Sequence, residues 1–262
     1  MKILMLGDVV GKPGRDVIQK WVPRLREEEA LDLVVANAEN VAGGRGLTPE
    51  TAHDLMKSGV DVLTNGDHAW DKEEILPVMR SNHRVLRPAN YPDGCPGSGT
   101  AVIGTRGGGE AAVINLCGRV FMAPHFLCPF RTVDRELKAL PSRIKVIVVD
   151  IHAEATSEKI ALGWYLDGRV SAIVGSHTHV QTADEKILPK GTAYLTDAGM
   201  TGPYHSVLGR EIRPVLERFL TQMPRRLNVA QEDARLMGAL IEVDAQNGSA
   251  VSIRRVEKAL ES

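Results

Sequence analysis

Five short aliphatic runs, each closing on a polar or charged cluster, constrain this chain more than any other feature. "KILML" (2–6) closes on Gly7-Asp8, "LDLVVAN" (31–37) on Glu39-Asn40 and "VDVLTN" (60–65) on Gly66-Asp67-His68. "IKVIVVD" (144–150) closes on Ile151-His152, and "VSAIV" (170–174) on Gly175-Ser176-His177. Short runs of β-branched and aliphatic residues bounded by Gly or polar residues read as buried strands. Helical patterns separate the early ones. Val17, Ile18, Trp21, Val22 and Leu25 form an apolar stripe after Pro13. In "LTPETAHDLMKSG" (47–59), Thr48 is placed as an N-cap, Pro49 at the first helical position and Gly59 as a stop. This alternation implies a sheet covered by helices.

Two later stretches read as hairpins. "TAVIGTRGGGEAAVINLCG" (100–118) has a Gly-rich loop at its middle, and "LMGALIEVDAQNGSAVSIRRVE" (236–257) turns at Gln246-Asn247-Gly248. The fold class expected is α/β, a layered sandwich of more than one β-sheet flanked by helices, in a single domain over residues 1–262. With 43% apolar but only 4% aromatic residues, its core must be built from Val, Leu, Ile and Ala.

Charge and cysteine content narrow the partners. The 32 basic and 33 acidic residues leave a net charge of −1, which is no electrostatic footprint for duplex nucleic acid. Arg225-Arg226 reads as solvated surface. Cys95, Cys117 and Cys128 are odd in number and form no CxxC, so buried free thiols in a reducing cytosol are expected. The apolar N-terminus "MKILMLGDVV" is interrupted by Asp8 and too short to span a membrane. A soluble, cytoplasmic protein without a membrane partner is expected, and a homo-oligomer is compatible with the composition.

Ligands of open α/β sheets bind outside the carboxyl ends of the strands. Asp8, Glu39, Asn40, Asp67, His68, His152, His177 and His179 all fall at such ends. Singly, each is an ordinary turn or capping residue. Together, imidazoles and carboxylates are a donor set for Fe, Mn or Zn. In an extended segment residues i and i+2 project to one side, so His177 and His179 are expected to reach one cavity from a strand, each towards its own metal. Glu39, with two oxygens, can bridge two cations. A pair of cations about 3.5–4 Å apart clamps a phosphate for in-line attack by hydroxide, so phosphate-ester hydrolysis is the expected reaction class.

The order Asp8, Glu39-Asn40, "GDHAWD" (66–71), His152 and "GSHTH" (175–179) resembles the calcineurin-like metallophosphoesterases. "GDVVGKPGR" (7–15), "NAENVAGGRGLT" (37–48), "VDIHAEATSEK" (149–159), "VGSHTHVQTAD" (174–184) and "TDAGMTGPYHSVLG" (196–209) are similar to blocks of one bacterial branch, the YmdB-type cyclic-nucleotide phosphodiesterases. The resemblance implies the four-layer αββα fold of that superfamily. It implies one metal on Asp8, Glu39, Asn40 and His179, and another on Glu39, residue 67, His152 and His177. It implies a metal-bridging hydroxide as nucleophile, His68 as general acid, iron before manganese or zinc, and hydrolysis of 2′,3′-cyclic and possibly 3′,5′-cyclic nucleotides. A phosphomonoesterase or protein phosphatase on the same site, or a metal-retaining nucleotide sensor with little turnover, are the alternatives.

This chain departs from the superfamily pattern at Asp67, where Asn is usual. Three ionised carboxylates set −3 against +4 for two divalent ions, and an Asn would leave the site more positive. Asp67 is therefore expected to tighten cation binding and either to slow turnover or to favour one trivalent ion. His205 stands where Asp is expected. The "VAGGRG" (41–46) segment can line the site, "RGGGE" reads as a hairpin turn, and "TDAGMTGPY" is placed between a strand and a helix, bordering the site through Thr201. His53, His83 and His125 lack partners in the pattern and read as structural. No GxSxG elbow is present.

Overall fold

The computed structural model describes residues 1–260. In chain order the elements are β1 (Lys2–Leu6), β2 (Asp8–Val9), α1 (Gly11–Glu28), β3 (Leu33–Asn37), α2 (Pro49–Lys57), β4 (Val62–Thr64) and α3 (Leu76–Ser81). They continue with β5 (Thr100–Gly104), β6 (Glu110–Cys117), α4 (Pro129–Ala139), β7 (Val146–His152), α5 (Thr156–Leu166), β8 (Ala172–Ser176), β9 (Lys186–Ile187), β10 (Ala193–Leu195), β11 (Met200–Pro203), α6 (Ile212–Thr221), β12 (Ala234–Val243) and β13 (Ala250–Ala259).

One sheet runs β2-β11-β12-β1-β3-β4, with β13 on the opposite edge of β12. The other runs β5-β6-β7-β8-β10-β9. Within the first, β1, β3 and β4 are parallel; within the second, β6, β7, β8 and β10 are parallel. Strand periodicity explains why the runs are apolar at every position. Ile3 and Met5 of β1 face the second sheet, where they meet Val113, Val148 and Val174. Leu4 and Leu6 face the other way, against Val17, Ile18, Val22 and Leu25 of α1 and Leu55 of α2. On the far side Ile114, Val149 and Ile173 pack on Val133 of α4 and Leu162 and Leu166 of α5. Both faces of both sheets are therefore covered, which is the αββα layering expected.

Local chemistry sets the boundaries. The Thr48 hydroxyl accepts the Thr51 N–H (3.2 Å) and Pro49 opens α2, a cap that contributes about 1 kcal/mol. Gly59 follows this helix at φ 99°, in the left-handed region where a side chain would be strained. Both hairpins form, and Gly248 (φ 83°) turns the second. Two boundaries differ from expectation. The first helix begins at Gly11, before Pro13, and carries Pro23 on its exposed side. The "TDAGMTGPY" segment forms β11, which pairs with β2 and β12, instead of leading straight into a helix. Of the three thiols only Cys117 is buried; Cys95 and Cys128 are half-buried, on loops that offer less cover than expected. Among the described residues no helix is long and apolar enough to cross a membrane.

Candidate metal centre

The carboxyl ends of β1, β3, β4, β7 and β8 converge where the two sheets meet. His152, the last residue of β7, is fully buried at the centre. Its Nε2 lies 3.1 Å from Glu39 Oε1, 3.2 Å from Asp67 Oδ1 and 2.9 Å from His177 Nδ1. Glu39, Asp67, His152 and His177 each offer a ligand atom within 4.8 Å of the others, close enough to hold one cation. A second group adjoins it. His179 Nε2 is 3.3 Å from Asn40 Nδ2 and 3.9 Å from Asp8 Oδ1, and Asn40 Nδ2 donates to Glu39 Oε1 (3.1 Å). Glu39 thus stands between the two groups. Asp8 Oδ2 accepts the His177 N–H (2.9 Å), whereas its buried Oδ1 has no hydrogen-bond partner. An orphaned carboxylate oxygen beside two imidazoles is satisfied by a cation, so the donor set fits metal binding.

The protonation pattern follows from burial and mutual charge. Burial pushes Asp8 up to about 6, against the pull of His179 and His152. Burial also acts upward on Glu39 and Asp67, but the neighbouring imidazoles outweigh it and hold both below the usual carboxylate range. His152 goes the other way. Burial disfavours its charge, yet Glu39, Asp67 and Asp8 keep it protonated well above the ordinary imidazole value. His177 is brought down to about 4 by burial and by His152 beside it. Without a cation, the His152 imidazolium is the counter-charge of the carboxylates.

The two histidines of "HTH" converge by a route other than strand pleating. β8 ends at Ser176, and His177 (φ 96°) and His179 (φ 63°) both lie in the left-handed region. Two closely spaced turns of the backbone, not alternate positions of an extended strand, aim the rings inward. Sparsely populated backbone of this kind costs about 1–3 kcal/mol per residue and persists only where surrounding contacts enforce it.

Several supporting residues are visible only in three dimensions. His152 Nδ1 is 3.0 Å from Ser176 Oγ, which donates to Asp150 Oδ1 (2.7 Å). Thr64 Oγ1 also donates to Asp150, and Asn37 Nδ2 lies 3.2 Å from His152 Nδ1. The Nδ1 edge of the ring is thereby fixed and Nε2 is left for the cluster. Glu154 Oε2 is 3.1 Å from His177 Nε2. Gly66 leaves the necessary gap, since a Cβ there would stand 2.2 Å from His152 and 2.3 Å from Glu39.

His68 sits at the rim. Its N–H donates to Glu39 Oε2 (3.1 Å), and its Nδ1 is 3.1 Å from Asp71 Oδ2. Arg45, from the Gly-rich "VAGGRG" segment, pairs with the same Asp71, so that segment borders the site. Thr201 does not: it is buried, and its hydroxyl donates to Met237 O (3.1 Å) within the sheet. His205 is a surface residue beside Glu232 (2.9 Å), and His53, His83 and His125 are exposed.

Two sheets with parallel cores meeting over a His-carboxylate cluster define a metallophosphoesterase-type protein. The chain belongs to the YmdB-like protein family, whose model matches residues 4–256. It is 48% identical to a 2′,3′-cyclic-nucleotide 2′-phosphodiesterase of Bacillus subtilis, covering 98% of this chain and 96% of that one. A solved hypothetical protein from Thermus thermophilus superposes with a TM-score of 0.92 at 42% identity, covering 99% of both chains. A novel phosphatase from Mycoplasma pneumoniae does so with a TM-score of 0.92 at 32% identity, covering 99% of this chain and 93% of that one.

Proposed function

We propose that this chain is a dinuclear metal-dependent phosphodiesterase of small cyclic nucleotides, 2′,3′-cyclic ones foremost and 3′,5′-cyclic ones as a second class. The observation that carries the reading is Glu39, buried between the Asp67-His152-His177 group and the Asp8-Asn40-His179 group. The activity of the B. subtilis relative, at 48% identity over nearly the whole chain, supports the substrate class. One cation is assigned to Asp8, Glu39, Asn40 and His179, the other to Glu39, Asp67, His152 and His177. Iron is the first choice, and manganese or zinc suit the same donors. Bound there, the cations would neutralise phosphoryl oxygens and acidify an attacking water.

The chain's own residues do the rest. Ser176, itself bonded to Asp150, accepts from His152 Nδ1 and holds the ring so that its Nε2 faces the cation site. Asp71 engages His68 at Nδ1, which leaves Nε2 to give a proton to the departing ribose oxygen. Asp67 adds a third carboxylate charge to the ligand set. It strengthens cation binding and weakens the pull on an anionic phosphate. The chain acts as one domain over residues 1–262, in the cytoplasm.

The test strips the protein, reloads it anaerobically with Fe²⁺ or Mn²⁺, and compares 2′,3′-cyclic AMP, 3′,5′-cyclic AMP, bis-p-nitrophenyl phosphate and p-nitrophenyl phosphate on one preparation. Two metals per chain with preferred hydrolysis of the 2′,3′-cyclic substrate is expected. Faster turnover of p-nitrophenyl phosphate overturns the diesterase assignment, and less than one metal per chain overturns the site.

A further inference from the structure

We infer that the buried Lys159–Asp197 ion pair is a positioning device that grips Thr178 and so sets His177 and His179 on the metals. This rests on the reading of both histidines as ligands. Lys159 comes from α5 and Asp197 from the loop after β10, and both side chains are fully buried with Nζ 2.7 Å from Oδ2. The same Oδ2 accepts the Thr178 N–H (3.2 Å) and the Thr178 hydroxyl (2.6 Å). Oδ1 accepts the Gly199 N–H (2.8 Å).

Thr178 is the residue between the two left-handed histidines. Holding its amide and its hydroxyl on one oxygen fixes its backbone and side chain together. The downstream side of the turn is tied to the same residue, because Thr182 N–H donates to Asp197 O (3.1 Å) and Asp197 N–H donates to Thr182 Oγ1 (3.0 Å). Upstream, the His177 N–H is held by Asp8 (2.9 Å). The segment from 177 to 182 is thus anchored at its first two residues and at its last.

Lys159 explains why an ionised acceptor can sit so deep. Bonds to a charged acceptor are roughly twice as strong as neutral ones, but a lone buried carboxylate is not tolerated. The ammonium neutralises it. Gly175 makes the arrangement possible, for a Cβ there would stand 1.8 Å from Thr196 O and 2.8 Å from Lys159 Cδ. The Gly of "VGSHTH" therefore clears the way for the lysine stem that supports the histidines two and four positions on.

The experiment titrates metal-stripped protein with Mn²⁺ alone by calorimetry and melts the same stripped samples. Thr178→Val keeps both histidines and the ion pair and removes the hydroxyl grip. It should bind Mn²⁺ about 10–100-fold more weakly, as outer-shell losses do, while the stripped protein stays folded and melts no more than about 10 °C below wild type, the loss of one charge-assisted hydrogen bond. Thr178→Ser should restore wild-type affinity. Lys159→Met/Asp197→Asn, which removes both charges together, should weaken Mn²⁺ in the same way. Wild-type affinity in Thr178→Val overturns the inference, as does a stripped variant that is unfolded at the titration temperature, or a Thr178→Ser protein that binds as weakly as Thr178→Val. A wild-type protein that binds no Mn²⁺ overturns the ligand reading and the inference with it. Wild-type binding with unchanged variants overturns the positioning role alone.

Discussion

Proton release on metal binding follows directly from His152. Its imidazolium is held by Glu39, Asp67 and Asp8, and a cation placed among those groups must displace that proton. Asp8 holds a second proton up to about pH 6, whereas His177, brought down to about 4, is already neutral there. Wherever His152 still holds its proton, that proton competes with the metal, so the Mn²⁺ dissociation constant should fall as pH rises, by up to about tenfold per pH unit. Between pH 5.5 and 6.5 Asp8 titrates as well, and the fall should reach about thirtyfold. The stripped protein should show the opposite trend. A histidine raised above its ordinary 6.5 contributes stability that is full below that pH and is lost as pH rises through the folded value. Calorimetric Mn²⁺ titrations from pH 5.5 to 8, in buffers of different ionisation enthalpy, count the protons, and thermal melts of the stripped protein follow its stability. A dissociation constant independent of pH, or binding without proton release at pH 7, would refute the assignment of the imidazolium as the resident counter-charge.

Three substitutions test neighbouring steps. Asp67→Asn takes the ligand charge from −3 to −2; it should weaken Mn²⁺ by roughly tenfold, the scale of one perturbed metal contact, and raise turnover. Unchanged metal content, turnover and substrate affinity would remove Asp67 from this account. His68→Ala should keep its metals and lose about 10²–10⁴-fold in cyclic-nucleotide turnover; hydrolysis at the wild-type rate would show that His68 gives no proton. Gly66→Ala would drive a methyl group to 2.2 Å from His152, so metal analysis should find the purified variant depleted at that site, and full occupancy would contradict the packing.

Much of the frame was legible because covered strands must be apolar on both faces. Ile3 and Met5 serve the inter-sheet layer while Leu4 and Leu6 serve the helices, so the "KILML" run marks both a strand and its depth. The candidate residues at the strand ends stood out only as a set, since each alone is an ordinary turn or cap, whereas five strand ends carrying carboxylates and imidazoles together are not. The sheet assignment was not legible. β11 is four residues, "MTGP", and Gly and Pro carry no strand signature, so its pairing with β2 and β12 comes from tertiary contacts alone. Nor does the residue pattern disclose that His177 and His179 turn left-handed, because His-Thr-His suits extended backbone equally well.

The supporting residues were hidden for a different reason: they are ordinary residue types that burial alone makes exceptional. Asp150 looks like the polar stop of an apolar run, yet it lies inside β7 and receives Ser176 and Thr64. Lys159 looks like helix surface, and the pattern around it was the available clue. In "TSEKIALGWYL" the lysine is fully buried while Ile160 is 39% and Trp164 54% exposed, an inversion of the usual apolar face. Removing an ammonium from water is costly unless a partner charge waits inside. The inversion in α5 therefore implies a buried carboxylate facing that helix, and Asp197 is that carboxylate. Since Asp197 spends its remaining bonds on Thr178 and Gly199, the helix pattern, the "TDAG" loop and the "HTH" turn form one mechanical unit.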